Sequence, residues 1–191
     1  MHLINDLIAL IAANLILTQA LGISTIFIAA QSKKNLVLTA CTITIFTMTG
    51  SAAAYFIDRT VPQEYNESLT LLFYTLSIGI IYVVLLSVLY FISREKFDRL
   101  RKYIHLSAYN CAVMGTLFTI NSKASADSSL MSLPSYLAEG LYAGLGFILA
   151  AFILTAAYRR LNSSKVPASF RGFPSMLVYL GIISMAVYAL K

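Results

Sequence analysis

Charged residues are scarce in this sequence. Asp, Glu, Lys and Arg make up 12% of its 191 residues and hydrophobic residues make up 59%, whereas soluble domains contain about 25% charged residues. This composition excludes an ordinary soluble domain and predicts an integral membrane protein in contact with the lipid bilayer. The net charge of +6 does not indicate nucleic-acid binding, because the basic residues are divided among the connections between apolar segments, as in membrane proteins.

Cysteine is also rare, and the motifs of self-contained active sites are missing. Cys41 and Cys111 are the two cysteines, and both lie inside apolar segments, which argues against a disulfide framework of the secreted type. The sequence contains no paired carboxylates, no Cys and His at zinc spacing, no glycine-rich phosphate loop and no Ser/His/Asp set with its supporting motifs. These absences argue against an autonomous enzyme.

Six apolar segments dominate the chain. Each approaches the roughly 20 residues that a helix needs to cross a bilayer, and no Lys or Arg precedes the first one, so we expect no removable signal peptide. We predict an all-α protein with one membrane domain over residues 1–191, divided into three-helix halves at 1–93 and 94–191. The segments are Leu7–Ala30, Leu36–Ile57, Leu69–Ile92, Tyr103–Ile120, Leu130–Tyr158 and Phe173–Leu190.

Basic residues orient these segments. Eleven of the fourteen lie in the first, third and fifth connections, and positive residues favour the cytoplasmic side of a membrane. We therefore expect a multi-pass protein with both termini outside. Because the third and fifth connections are both basic, the fourth segment should span the bilayer. The eleven residues are Lys33, Lys34, Arg94, Lys96, Arg99, Arg101, Lys102, Arg159, Arg160, Lys165 and Arg171.

The first and fourth segments are less cleanly apolar than the others. Gly22 lies among polar residues of the first segment, and Asn110, Cys111 and Gly115 interrupt the fourth. We predict that both helices are broken, since irregular backbone at membrane depth must be buried in protein or line a cavity. These segments begin the two halves, and three spans per half give the halves opposite orientations. The pattern is typical of an inverted repeat with a site at the midplane.

Tyr109–Gly115 is the stretch most suited to chemistry. A thiol beside a carboxamide, flanked by small residues, is either a packed core patch or a metal ligand in a close helix contact. Glu139 is either a functional intramembrane acid or, if Pro134 begins the helix, a residue about one turn below the surface. We interpret Cys41 as a packing residue and His105 as interfacial.

Small residues concentrate in two further places, Gly50–Ala54 in the second segment and residues 140–146 in the fifth. Gly140 and Gly144 have the four-residue spacing that lets helix backbones approach closely. We predict that both groups are packing surfaces.

Three motifs resemble a known family. They are Lys165–Gly172, which reads KVPASFRG, Asn110–Gly115, which reads NCAVMG, and the pair Leu21-Gly22 with Ser32-Lys33-Lys34 after it. They resemble the A-type subunit of Rnf complexes and the similar E-type subunit of sodium-pumping NADH:quinone reductase. The likeness covers essentially the whole chain.

The resemblance implies a non-autonomous membrane subunit of a redox-driven ion translocase in a bacterial or archaeal cytoplasmic membrane. In that family the subunit pairs with a homologous partner of opposite orientation and with the other subunits of the complex. Broken helices of the pair bring four cysteines around a [2Fe–2S] cluster, which carries electrons between the cytoplasmic side and flavins, coupled to sodium or proton movement. Cys111 matches one ligand, and Asn110, Gly22 and Gly115 belong to the cofactor-binding stretches.

The second family ligand is replaced here. Ser24 stands where the resemblance implies a cysteine, and Thr25 where it implies a proline. Ser24 can ligate iron as an alkoxide, which suits iron less well than a thiolate; alternatively the cluster has three cysteines, or it is lost. We predict that Ser24 and Cys111 meet at the interior ends of broken helices, within about 15 Å, because a thiolate ligand lies roughly 2.3 Å from its metal.

Two other functions fit parts of the sequence. The substrate-binding membrane component of a small-molecule transporter would also have six helices and about this length. A cluster-free structural paralogue would only complete the helix bundle of a larger complex. The missing cysteine favours these alternatives, whereas the KVPASFRG motif favours the redox subunit.

Overall fold

The computed structural model describes residues 14–29, 32–61, 66–126 and 132–189. Within these ranges the chain forms eight helices and no strand. The predicted first segment begins before residue 14, and that part of it lies outside the described residues. The helices are α1 Leu15–Gln19, α2 Ile23–Ala29, α3 Lys33–Thr60, α4 Asn66–Ile92, α5 Arg94–Ala108, α6 Cys111–Ala126, α7 Leu133–Leu161 and α8 Phe173–Tyr188.

In the part of the chain that the structure describes, three helices are long and apolar enough to cross a membrane. They are Lys34–Thr60 within α3, Leu69–Ile92 within α4, and α7, while α8 is a shorter apolar helix. Many apolar side chains of α4 are exposed, among them Leu72, Leu76 and Ile80, so one face of this helix is available to lipid or to another protein. The prediction of an all-α membrane protein is confirmed. Its arrangement as six spans in two inverted halves stays a prediction.

Both predicted helix breaks are present. The first lies between α1 and α2, where Ala20 and Gly22 have φ of 59° and 82°, values that a continuing right-handed helix does not allow. The second lies at Tyr109 and Asn110, between α5 and α6. Each pair of short helices is followed by two further helices of 16 to 29 residues.

The boundaries differ most from prediction at the third connection. The sequence predicts a polar connection from Arg94 to Lys102, but this basic run forms the first turns of α5, and Ser93 alone separates it from α4. Hydropathy detects only the apolar part of a helix, and the run consists mainly of good helix formers. Glu95 and Arg99 also form an exposed i,i+4 ion pair at 3.8 Å, which supports the helix modestly.

Helices α3 and α7 pack closely through their small residues, as predicted. A Cβ atom added to Gly140 would lie 2.7 Å from the Thr47 carbonyl oxygen and would also meet the Ser51 hydroxyl. One added to Gly144 would lie 2.6 Å from Thr44 Cγ2. Larger side chains at these two positions would therefore force the helices apart. The contact forms the centre of the core against which the two breaks are held.

Candidate functional site

Asn110 ties the two helix breaks together. Its side chain is 4% exposed; Nδ2 donates to Thr25 Oγ1 at 2.7 Å, and Oδ1 accepts from the Ala112 amide at 2.8 Å. The first bond reaches α2 across the interior, and the second caps the start of α6. A side chain with both a donor and an acceptor is needed to make this pair of contacts.

Cys111 begins α6 directly beside the first break. The Gly22 amide donates to Cys111 Sγ at 2.9 Å, and the positive end of the α6 dipole favours negative charge at the same place. The side chain is nevertheless exposed and free. Within this chain Cys111 is therefore not part of the buried core, and its role as a ligand stays a prediction.

Two glycines permit this close approach. A Cβ atom at Gly22 would lie 2.8 Å from Asn110 Oδ1 and 3.0 Å from Ala112 Cβ, and the φ of 82° disfavours any other residue. At Gly115 an added Cβ atom would lie 2.5 Å from Leu21 Cδ1. The structure thus places the predicted residues Gly22, Asn110, Cys111 and Gly115 at one junction.

Ser24 is the second residue of α2 and lies two positions after Gly22. Its side chain is exposed, so its hydroxyl is not committed to the core. The contact between Gly22 and Cys111 brings the start of α2 toward the thiol. The separation of Ser24 from Cys111 stays a prediction.

An open depression of about 550 Å³ lies next to the thiol. Among the described residues, no group of three or more His, Cys, Asp or Glu side chains could hold a metal ion. The described part of the chain therefore cannot complete a four-ligand metal site by itself. The lining residues are Gln19, Leu21, Cys111, Met114, Gly115, Phe118, Thr119, Ser122 and Lys123.

Glu139 forms an ion pair that sequence reasoning missed. Helix α7 begins at Leu133, with Ser132 as N-cap and Pro134 in its first turn, as the second interpretation of Glu139 required. Lys123 Nζ donates to both carboxylate oxygens, at 2.8 and 2.9 Å, and the two side chains are 43% and 37% exposed. Glu139 therefore has a structural partner, Lys123. The sequence does not indicate this pair, because the two residues are 16 positions apart.

Asp58 is a buried carboxylate that sequence reasoning also missed. It is 7% exposed and accepts hydrogen bonds from the Tyr74 hydroxyl at 2.6 Å and the Tyr136 hydroxyl at 2.8 Å. The three residues link α3, α4 and α7. The sequence shows an acid directly after the second apolar segment. It does not indicate the hydrogen-bond partners of this acid, because they lie 16 and 78 residues away.

The predictions for His105 and Cys41 have different outcomes. His105 is exposed and its Nδ1 is hydrogen-bonded to the Tyr82 hydroxyl, which agrees with an interfacial residue. The packing interpretation of Cys41 is wrong, because its side chain is exposed. Its neighbour Ala40 is buried instead, so Cys41 lies on the outer face of α3.

Comparison with known proteins relates the chain to membrane subunits. A family model described as "Rnf-Nqr subunit, membrane protein" matches residues 5–191. The chain is 24% identical over 181 residues to the A-type subunit of the Na(+)-translocating ferredoxin:NAD(+) oxidoreductase complex of Acetobacterium woodii, covering 93% of this chain and 90% of that protein. It is 27% identical over 176 residues to the A-type subunit of the ion-translocating oxidoreductase complex of Rhodobacter capsulatus, covering 91% and 87%.

Proposed function

The chain belongs to the Rnf-Nqr family of membrane subunits, and from this premise we propose that it is a subunit of an ion-translocating electron-transport complex. Its part in that complex is to supply Cys111 as one ligand of a [2Fe–2S] cluster shared with a homologous membrane protein. The observation that carries this proposal is the exposed Cys111 thiol, held at the junction of two broken helices with the Gly22 amide directed at its sulfur.

The Cys111 thiol and its surroundings suit one ligand position of such a cluster. Cysteine thiolates are the usual ligands of iron–sulfur clusters, and hydrogen bonds to their sulfurs tune the reduction potential. Here the Gly22 N–H and the start of α6 both stabilise negative charge on Cys111. Asn110 keeps these groups in place by bonding Thr25 on one side and the Ala112 amide on the other. When bound, the cluster supplies one-electron transfer.

The partner subunit supplies the other thiolates. Among the described residues, no three Cys, His, Asp or Glu side chains lie together to hold a metal ion, and the depression beside Cys111 is open. A face that exposes a ligand beside an open depression is suited to a site completed across an interface. Ser24 is the second candidate ligand from this chain, through its exposed hydroxyl.

The element order supports an inverted repeat as the framework of the site. Each half begins with a pair of helices separated by a break, α1–α2 and α5–α6, and two further helices follow each pair, α3–α4 and α7–α8. The proposed arrangement has six spans, both termini outside and the basic connections in the cytoplasm of a bacterial or archaeal cell. The homologous partner then has the opposite orientation, which places the two pairs of breaks at the same depth.

Iron content tests the proposal. We expect the complex co-purified with its partner to contain iron, and Cys111→Ala to lose most of it. Cys41→Ala is the matched control, since Cys41 is also an exposed thiol of a helix, and it should retain wild-type iron. Equal recovery of the partner subunit from both variants shows that assembly is intact.

Ser24→Ala distinguishes the ligand sets. Partial loss of iron would identify the hydroxyl as a ligand, whereas full retention would assign the fourth position to the partner or to solvent. A wild-type complex without iron would contradict the cluster and leave the structural, cluster-free paralogue as the function.

A further inference from the structure

Helices α4 and α5 form a tight hairpin at the basic end of the molecule. Ser93 alone separates them, and their side chains meet in antiparallel order: the Tyr90 ring lies 5.4 Å from Phe97, and the Tyr82 ring lies 5.4 Å from His105. The first turns of α5 therefore run beside the last turns of α4, at the same height along the hairpin.

The α4 side of this hairpin is apolar and open. Phe91 is 86% exposed and Ile92 is 70% exposed, and Val84 and Val88 on the preceding turns are also exposed. This face continues along α4 through Leu76 and Ile80, which are 59% and 58% exposed. Because exposed apolar side chains follow one another to the end of the helix, the acyl chains of the bilayer are expected to cover this face.

The α5 side carries cations at the same height. Arg94, Arg101 and Lys102 are exposed, and no ion pair with a described carboxylate involves them. Each is held against an aromatic ring instead: Arg94 Cζ lies 5.3 Å from the Tyr90 centroid and Arg101 Cζ 5.8 Å from that of Phe97. Lys102 Nζ lies 4.9 Å from the Tyr103 centroid.

We propose that this hairpin is a binding site for an anionic phospholipid. The phosphate and other negative groups of the headgroup bind Arg94, Arg101 and Lys102, and the acyl chains lie along the exposed apolar face of α4. A phospholipid suits cations beside an exposed apolar face, because it carries negative charge at one end and hydrocarbon along the rest of its length. Basic residues near the headgroups attract anionic lipid by about 1 kcal/mol each.

A tryptophan probe tests the site, because the chain contains no tryptophan of its own. Phe91→Trp would be purified as the full-length chain and reconstituted in phosphatidylcholine vesicles containing either dibrominated phosphatidylglycerol or dibrominated phosphatidylcholine. We expect the anionic lipid to quench the probe at a mole fraction at least about fivefold lower than the neutral lipid does. Phe152→Trp on α7, where Phe152 is 59% exposed, should be quenched equally by both.

Charge removal supplies the second arm of the test. In the Phe91→Trp background, changing Arg94, Arg101 and Lys102 to Gln should abolish the preference. The matched control changes three exposed cations of another connection to Gln and should keep it; these are Arg159, Arg160 and Lys165. Equal quenching of Phe91→Trp by the two lipids, or a preference that survives the first triple change, would overturn the proposal. Quenching by neither lipid would show that protein or water covers the face, and would overturn it too.

Discussion

Replacing Asp58 with alanine is expected to lower the free energy of unfolding by about 2–6 kcal/mol, because two buried hydroxyls lose their acceptor at about 1–3 kcal/mol each. Tyr74 is 0% exposed and Tyr136 is 1% exposed, so neither hydroxyl is in contact with bulk water. The three side chains also join three helices, and the loss should loosen α3, α4 and α7 together. Unfolding in detergent, followed by circular dichroism, measures the change.

The hydroxyls themselves provide the critical control for Asp58. Changing Tyr74 and Tyr136 to Phe in the Asp58→Ala background should recover part of the lost stability, because removing both partners of a buried hydrogen bond is nearly neutral. Asp98→Ala, at an exposed position of α5, should change stability by less than about 0.5 kcal/mol. Additive losses in the triple variant would contradict the assignment of Asp58 as the shared acceptor.

Replacing Gly22 with alanine should be the most damaging change at the helix junction, at about 2–5 kcal/mol of unfolding free energy. Positive φ contributes about 1–2 kcal/mol for a residue with a Cβ atom, and forcing that atom into a packed site contributes about 1–3 kcal/mol more. The atom would lie 2.8 Å from Asn110 Oδ1 and 3.0 Å from Ala112 Cβ. A shift of Asn110 would also move the Gly22 amide away from Cys111. The iron content of the complex should therefore fall together with the free energy of unfolding.

Gly172→Ala separates the two contributions. Gly172 also has a positive φ, 89°, but an added Cβ atom would meet nothing within 4 Å. With φ of 89° and ψ of −124°, we expect this variant to lose about 1–3 kcal/mol from the backbone conformation alone and to keep wild-type iron. Wild-type iron in both alanine variants would show that the contact between Gly22 and Asn110 contributes nothing to the position of Cys111.

Sequence patterns located the candidate site because its elements are local. A glycine among polar residues of an apolar segment predicted the break at Gly22, and the carboxamide and thiol at Asn110 and Cys111 predicted the second. Small residues four positions apart predicted the packing of α7 on α3. Each of these signals comes from residues that lie within a few positions of one another in the sequence.

Orientation around a helix axis was not accessible in the same way. A helix that is apolar on all faces shows no periodicity to distinguish inside from outside, so the exposure of Cys41 and Cys111 could not be read from their segments. The ion pair of Lys123 with Glu139 and the acceptor role of Asp58 depend on residues from other helices. Hydropathy likewise placed the start of the fourth segment at Tyr103, because it measures apolarity and does not detect that the basic turns before this residue are helical.

Electron paramagnetic resonance of the dithionite-reduced complex tests most directly whether Cys111 is a cluster ligand. The preparation is the complex co-purified with its homologous partner, carrying either the wild-type chain, Cys111→Ser or Cys41→Ser. We predict a rhombic iron–sulfur signal in the wild type and in Cys41→Ser, and a signal with shifted g values, or none, in Cys111→Ser. An identical signal in all three preparations would show that the cluster is held without Cys111 and would contradict the account.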